Sequence, residues 1–328
     1  MRIARSCSTP AHPNDEHLPP RQFHPLSDTV LRHLLSWICA GMLSASGVVP
    51  ASASEANVSF SRSYVTHEWG QIHVLTSRPE SLHHDVPMVC LPPNPYSGNY
   101  YRLFMEELGK DRPMLALDYP GLGQSDAYDG VLSMSSLADV MAESLYKLGF
   151  GPQGLGPVDL CGYHSGTFVS MELAIRHPEL VRRVVMIGIP YFEKQERREL
   201  LDDLSEIKPW PDAHAATEPD WVFAVENRNK QVTLERAYHN FLESARAWQG
   251  KPRIYNAVFR YPVEDQAPSL LQRTLILNPH ADLAEHSRAF AEMLPNVQVV
   301  ELPHLHYGIF DVAAEELAAR ARDFLGAP

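Results

Sequence analysis

The stretch Val158-Asp-Leu-Cys-Gly162-Tyr163-His164-Ser165-Gly166-Thr167 is a short apolar run that enters a glycine-bracketed turn and then helical spacing. It reads as a strand, a sharp elbow and a helix, with the apex residue held at strained backbone angles and its side chain lifted clear of the sheet. Residues two before and two after such an apex crowd each other, so both must be small. With His164 at the apex the flanks are Gly162 and Gly166, whereas Ser165 would be flanked by Tyr163 and Thr167, and Tyr does not fit. The motif is therefore Gly-x-His-x-Gly.

Outward from the elbow, apolar runs and helical patterns alternate. Ser61 to His67 and Gln71 to Thr76 alternate apolar and polar around Trp69-Gly70, as an antiparallel hairpin does. Val86 to Leu91, Met114 to Leu117 and Val181 to Ile189 are continuous apolar runs of the kind buried on both faces of a sheet. Helical spacing covers Tyr100 to Leu108, Ser135 to Leu148 and Thr167 to Arg176. Strand and helix in this rhythm imply right-handed crossovers and a mostly parallel open sheet with helices on both faces, an α/β fold. From Tyr191 to Pro268 the rhythm stops in a charged, aromatic, mostly helical segment broken at Pro209, Pro211 and Pro219. It resumes with Arg273 to Pro279, a helix from Ala284 to Leu294, Val297 to Leu302 and a closing helix from Val312 to Leu325. Residues 54–190 and 269–328 thus read as the core, and 191–268 as a helical cap over the carboxyl ends of the strands, where ligands bind in open α/β sheets.

Of the 328 residues, 45% are hydrophobic and 21% charged, a globular balance with ample length for a large core. The net charge of −12, with no cluster of Lys and Arg, speaks against a nucleic-acid surface. Residues 1–53 differ from the rest. Arg32, the apolar run from Val30 to Val49 and the small residues Ala51-Ser52-Ala53 have the layout of a secretory signal with a long n-region, and the run is short for a membrane span. That predicts a chain exported to the periplasm or secreted, with a cytoplasmic location as the alternative, and no stable span in the mature protein. Ile38 before Cys39 argues against lipidation. Cys90 and Cys161 lie in apolar strands and read as buried free thiols. No metal-ligand spacing, phosphate loop or dinucleotide fingerprint is present, so neither a metal nor a cofactor is predicted.

The elbow, the loop Asp118-Tyr-Pro-Gly-Leu-Gly-Gln-Ser-Asp126, the cap and the final strands occur in one order, and from residue 60 to 326 the chain resembles a capped α/β-hydrolase. Leu-x-Pro-x-Pro-Tyr-Ser-Gly with Gly-Tyr-His-x-Gly is similar to a bacterial subgroup of that superfamily, in which His replaces the Ser of Gly-x-Ser-x-Gly. The resemblance implies a triad in the order nucleophile, acid, histidine. Asp282 is the carboxylate in the loop after Arg273 to Leu277, and His306 falls at the family's catalytic histidine, with His304 as runner-up. A carboxylate bonded to one imidazole nitrogen would leave the other as base, while Asp282 could instead merely cap the next helix. Where relatives carry His-Gly after the third strand, this chain has Pro92-Pro93-Asn94, so the backbone amides of Asn94 and Ser165 are the expected oxyanion donors.

Three functions stay open for a histidine at the apex. His164 could attack a small apolar ester or lactone, or activate water with His306, and Ser165 is the alternative nucleophile. The pair could instead run a cofactor-free proton transfer of the lyase or isomerase kind. Or the pocket could bind a ligand without catalysis. Tyr191, Phe192, Trp210, Trp221, Phe223, Tyr238 and Phe241 could line an acyl pocket or pack the cap onto the core. The expected partner is a small-molecule substrate.

Overall fold

A computed structural model of the protein describes residues 58–80 and 86–326; the leader and the export reading it carries lie outside them. Eight strands form one sheet in the order β1-β2-β4-β3-β5-β6-β7-β8. The strands are β1 (Val58–His67), β2 (Gly70–Pro79), β3 (Met88–Leu91), β4 (Met114–Leu117), β5 (Val158–Tyr163), β6 (Val181–Ile187), β7 (Arg273–Pro279) and β8 (Val297–Leu302). β1 and β2 form the antiparallel hairpin, β2 meets β4 antiparallel, and every other pairing is parallel.

The apolar runs behave as strands covered on both sides. Along β3, Val89 and Leu91 enter one core while Met88 and Cys90 enter the other; along β6, Val184 and Met186 alternate in the same way with Val185 and Ile187. One core packs helices α2 (Met134–Lys147) and α3 (Ser165–Arg176) on the sheet, and the opposite core packs α1 (Arg102–Leu108) and α8 (Ala314–Gly326). This period-2 division is the physical reason that such strands read as unbroken hydrophobic runs. Cys90 and Cys161 are buried free thiols opposite each other on β3 and β5, and burial pushes the Cys90 thiol up.

Between β6 and β7 the chain leaves the sheet. This insertion contains α4 (Lys194–Leu204), a short helix at Glu218–Trp221, α5 (Leu234–Arg246) and α6 (Gly250–Arg260); α7 (Ala284–Ala291) then links β7 to β8. Among the described residues no helix is long and apolar enough to cross a membrane.

Hydrogen bonds fasten the insertion to loops that follow the strands. The Glu243 carboxylate accepts from both the N–H and the hydroxyl of Ser97, each at 2.9 Å. The Asn94 side-chain amide donates to the Lys251 carbonyl at 2.9 Å. Arg236 donates to Asp311 at 2.9 Å and to the Tyr100 carbonyl at 3.1 Å, and Asn229 donates to the Tyr307 carbonyl at 2.9 Å. From the core side, buried Asp118 accepts from the Gly98 and Gln124 amides at 2.7 and 2.9 Å, which ties the loop after β3 to the loop after β4.

Candidate active site

β5 ends at Tyr163 and α3 begins at Ser165, so the whole reversal falls on His164. Its φ of 48° and ψ of −121° make it the one non-glycine residue with positive φ among the described residues. An L-residue adopts such angles only when its surroundings impose them. The flanking glycines supply that constraint by close approach. A Cβ on Gly162 would stand 2.4 Å from the Gly166 carbonyl oxygen, and one on Gly166 would stand 2.0 Å from the Leu91 oxygen. α3 can therefore press against the end of β3 only with both side chains absent.

The His164 ring is half-buried, with the Tyr163 ring at a centroid distance of 4.0 Å. Gly188, just past β6, completes the cradle, since a Cβ there would come within 2.9 Å of His164 Cδ2. Desolvation in this niche pushes the imidazole pKa down to about 4, against the opposing pull of the Asp282 charge. Near neutral pH the apex is thus an uncharged imidazole with a free lone pair.

His306 lies in the loop after β8, exposed, with Nδ1 at 2.6 Å from the His280 carbonyl oxygen. As a donor to that carbonyl, Nδ1 carries the ring proton and Nε2 is left as the basic nitrogen. The sequence reading has Asp282 orienting this ring, whereas the orienting bond found here comes from the backbone two residues earlier. Asp282 is exposed and faces Tyr307, whose hydroxyl is raised first by burial and then by its hydrogen bond to Asp282. It does not cap α7, whose N-cap Leu283 has no side-chain capping bond. His304 points elsewhere, with Nε2 2.8 Å from Glu316. His306 also borders an open cavity of about 460 Å³ lined in part by Asn229, His304 and Glu316.

Ser165 is buried, and its Oγ accepts the Asn94 N–H at 2.7 Å. The two residues named as oxyanion donors thus meet, but through the serine side chain. Among the described residues no base contacts that hydroxyl, which makes it a poor candidate nucleophile. The aromatic side chains of the insertion divide. Trp221, Tyr238 and Phe241 pack on one another, with Trp221 and Phe241 at 5.2 Å, and Phe192 packs on His286 and Phe259, while Trp210 and Phe223 are exposed.

Gly188, His280 and Tyr307 escaped sequence reasoning. A glycine breaking the apolar run Val181 to Ile189 was the one signal in the sequence, and only for Gly188, whose φ is positive in the structure.

The order of strands, the elbow and the late histidine loop converge on one family, and the family model for the alpha/beta hydrolase fold matches residues 86–304. The chain belongs to the α/β-hydrolase family. Among curated proteins, the (E)-2-((N-methylformamido)methylene)succinate hydrolase of Acinetobacter baylyi (strain ATCC 33305 / BD413 / ADP1) is 28% identical over 95 residues, 29% of this chain and 34% of that protein. That match spans about a third of its relative. A putative carbamate hydrolase of Serratia proteamaculans (strain 568) is 25% identical over 224 residues, 63% of this chain and 79% of that protein. Among solved structures, the enol-lactonase of Burkholderia xenovorans LB400 superposes with a TM-score of 0.66 at 16% identity, covering 81% of this chain and all of that one. At that identity the likeness carries the fold alone.

Proposed function

We propose that this α/β-hydrolase cleaves an ester, lactone or related acyl bond of a small apolar substrate, with His164 in place of the usual serine nucleophile and the helical insertion acting as a cap. The observation that carries the reading is a neutral imidazole at the strained apex of the elbow, the position from which the family's chemistry is delivered. The unprotonated ring nitrogen of His164 attacks the acyl carbon, and the carbonyl electrons move onto oxygen. The proton on the other His164 nitrogen passes to His306 Nε2 and from there to the departing alkoxide. Water then gives a proton to His306 and attacks the acyl-imidazole, and the imidazole leaves with that proton. The sum is one ester and one water converted to an acid and an alcohol.

Hydrolytic names among the relatives support the class, by analogy of fold and family. The depressed His164 pKa argues against the proton-transfer alternative, because an elbow imidazole near pKa 4 carries almost no acidic proton at neutral pH. A panel of p-nitrophenyl esters and lactones tests the proposal. The wild-type chain should turn over at least one of them. His164→Ala and His306→Ala should each depress that turnover, with losses far from additive, as for residues that act as one unit. Fluorophosphonate labelling of the wild-type chain at Ser165 would assign the chemistry to the serine instead.

A further inference from the structure

The loop after β3 has no backbone amide left for an oxyanion. Pro92, Pro93 and Pro95 have no N–H. The Tyr96 amide is bonded to the Pro93 carbonyl at 2.8 Å, the Ser97 amide to Glu243 and the Gly98 amide to Asp118. Asn94 is the last candidate, and its N–H is bonded to Ser165 Oγ at 2.7 Å. The contact is built in rather than incidental. Gly166 is pressed on the Leu91 and Pro92 carbonyls, and the Asn94 side chain is held by Lys251, so the two backbone segments are fixed against each other. In relatives that use an amide from this loop directly, the charged oxygen lies within hydrogen-bond reach of the N–H. Here a serine oxygen already occupies that position.

We infer that the Ser165 hydroxyl, and not the Asn94 amide, is the second donor to the oxygen that becomes negatively charged, alongside the Ser165 backbone N–H. This rests on the hydrolytic reading above. Ser165 is the first residue of α3, so its N–H has no partner within the helix. Its hydroxyl accepts from Asn94, and no acceptor for its own O–H is present among the described residues. A hydroxyl that accepts an amide N–H becomes a stronger donor through its remaining proton, because hydrogen bonds in series polarise one another. Asn94 N–H, Ser165 O–H and the substrate oxygen thus form a two-step relay. It moves the oxyanion site about one hydrogen-bond length, ~3 Å, outward from the β3 loop. Asn94 becomes a positioning residue, and Ser165 contributes two donors from one residue.

Fluorophosphonate inactivation of the full-length protein tests this without the natural substrate. In His164→Ser, the introduced hydroxyl attacks phosphorus, fluoride leaves and the proton goes to His306, so labelling at position 164 reports the elbow itself. In His164→Ser/Ser165→Ala, the maximal inactivation rate should fall about 100-fold, the usual loss for one oxyanion donor, with the half-saturating probe concentration unchanged. A merely structural role would move the melting temperature and both kinetic constants together; if the alanine variant melts early, Ser165→Gly in the same background repeats the measurement. An equal or faster rate without the hydroxyl would mean that Ser165 blocks the Asn94 amide rather than relaying it, and would overturn the inference alone. Absence of labelling in His164→Ser would overturn the hydrolytic reading and the inference with it.

Discussion

Replacing His164 by glycine should give a more stable protein than replacing it by alanine, the reverse of the usual order. Both variants lose the imidazole, so the contacts to Tyr163 and Gly188 and the desolvation of the ring cancel in the comparison. What remains is the backbone at φ 48° and ψ −121°. An L-residue there costs roughly 1 to 3 kcal/mol, which glycine does not incur. Glycine in turn loses about 0.5 to 1 kcal/mol more backbone entropy on folding. The difference favours His164→Gly by about 1 kcal/mol, or roughly 2 to 4 °C in melting temperature for a domain of this size. Parallel thermal and urea melts of the two variants provide the assay. Equal stability, or a more stable alanine variant, would mean that residue 164 is not the strained apex, and the assignment of the elbow would fail. Activity should be lost in both, so the stability difference is independent of any substrate.

Two further predictions concern the same niche. The His164 ring protons should titrate by NMR near pH 4, and Asp282→Asn should lower that pKa further, because the aspartate charge is what opposes desolvation. Since the folded value lies below the ordinary value of about 6.5, the unfolded chain binds the extra proton between these limits; this contribution to stability is present above about pH 6.5 and is lost as pH falls toward 4. A titration near 6.5 would mean that the niche does not desolvate the ring. Gly162→Val should destabilise by several kcal/mol, since its Cβ alone would sit 2.4 Å from the Gly166 oxygen, whereas Tyr163→Phe keeps the ring and should cost about 1 kcal/mol; similar small losses in both would misplace the turn.

The sequence by itself determined the strands, the elbow and its apex, because each is a local property. Unbroken apolar runs such as Met114–Leu117 follow from burial on both faces, and the choice of His164 over Ser165 follows from the size of residues two positions away. The insertion was legible for the same reason, as the place where strand and helix stop alternating. Only the tertiary structure decided how the site is wired. The bond from Asn94 to Ser165 spans 71 positions, that from Ser97 to Glu243 spans 146, and that from His306 to the His280 carbonyl spans 26. No local spacing encodes such pairs, since they depend on β3 lying beside β5 and on α5 returning over the loop that follows β3. The His306 contact shows the limit most plainly: a carboxylate and a backbone carbonyl two residues apart are equivalent acceptors in sequence, and the direction in which each points after β7 determines which of them the imidazole meets.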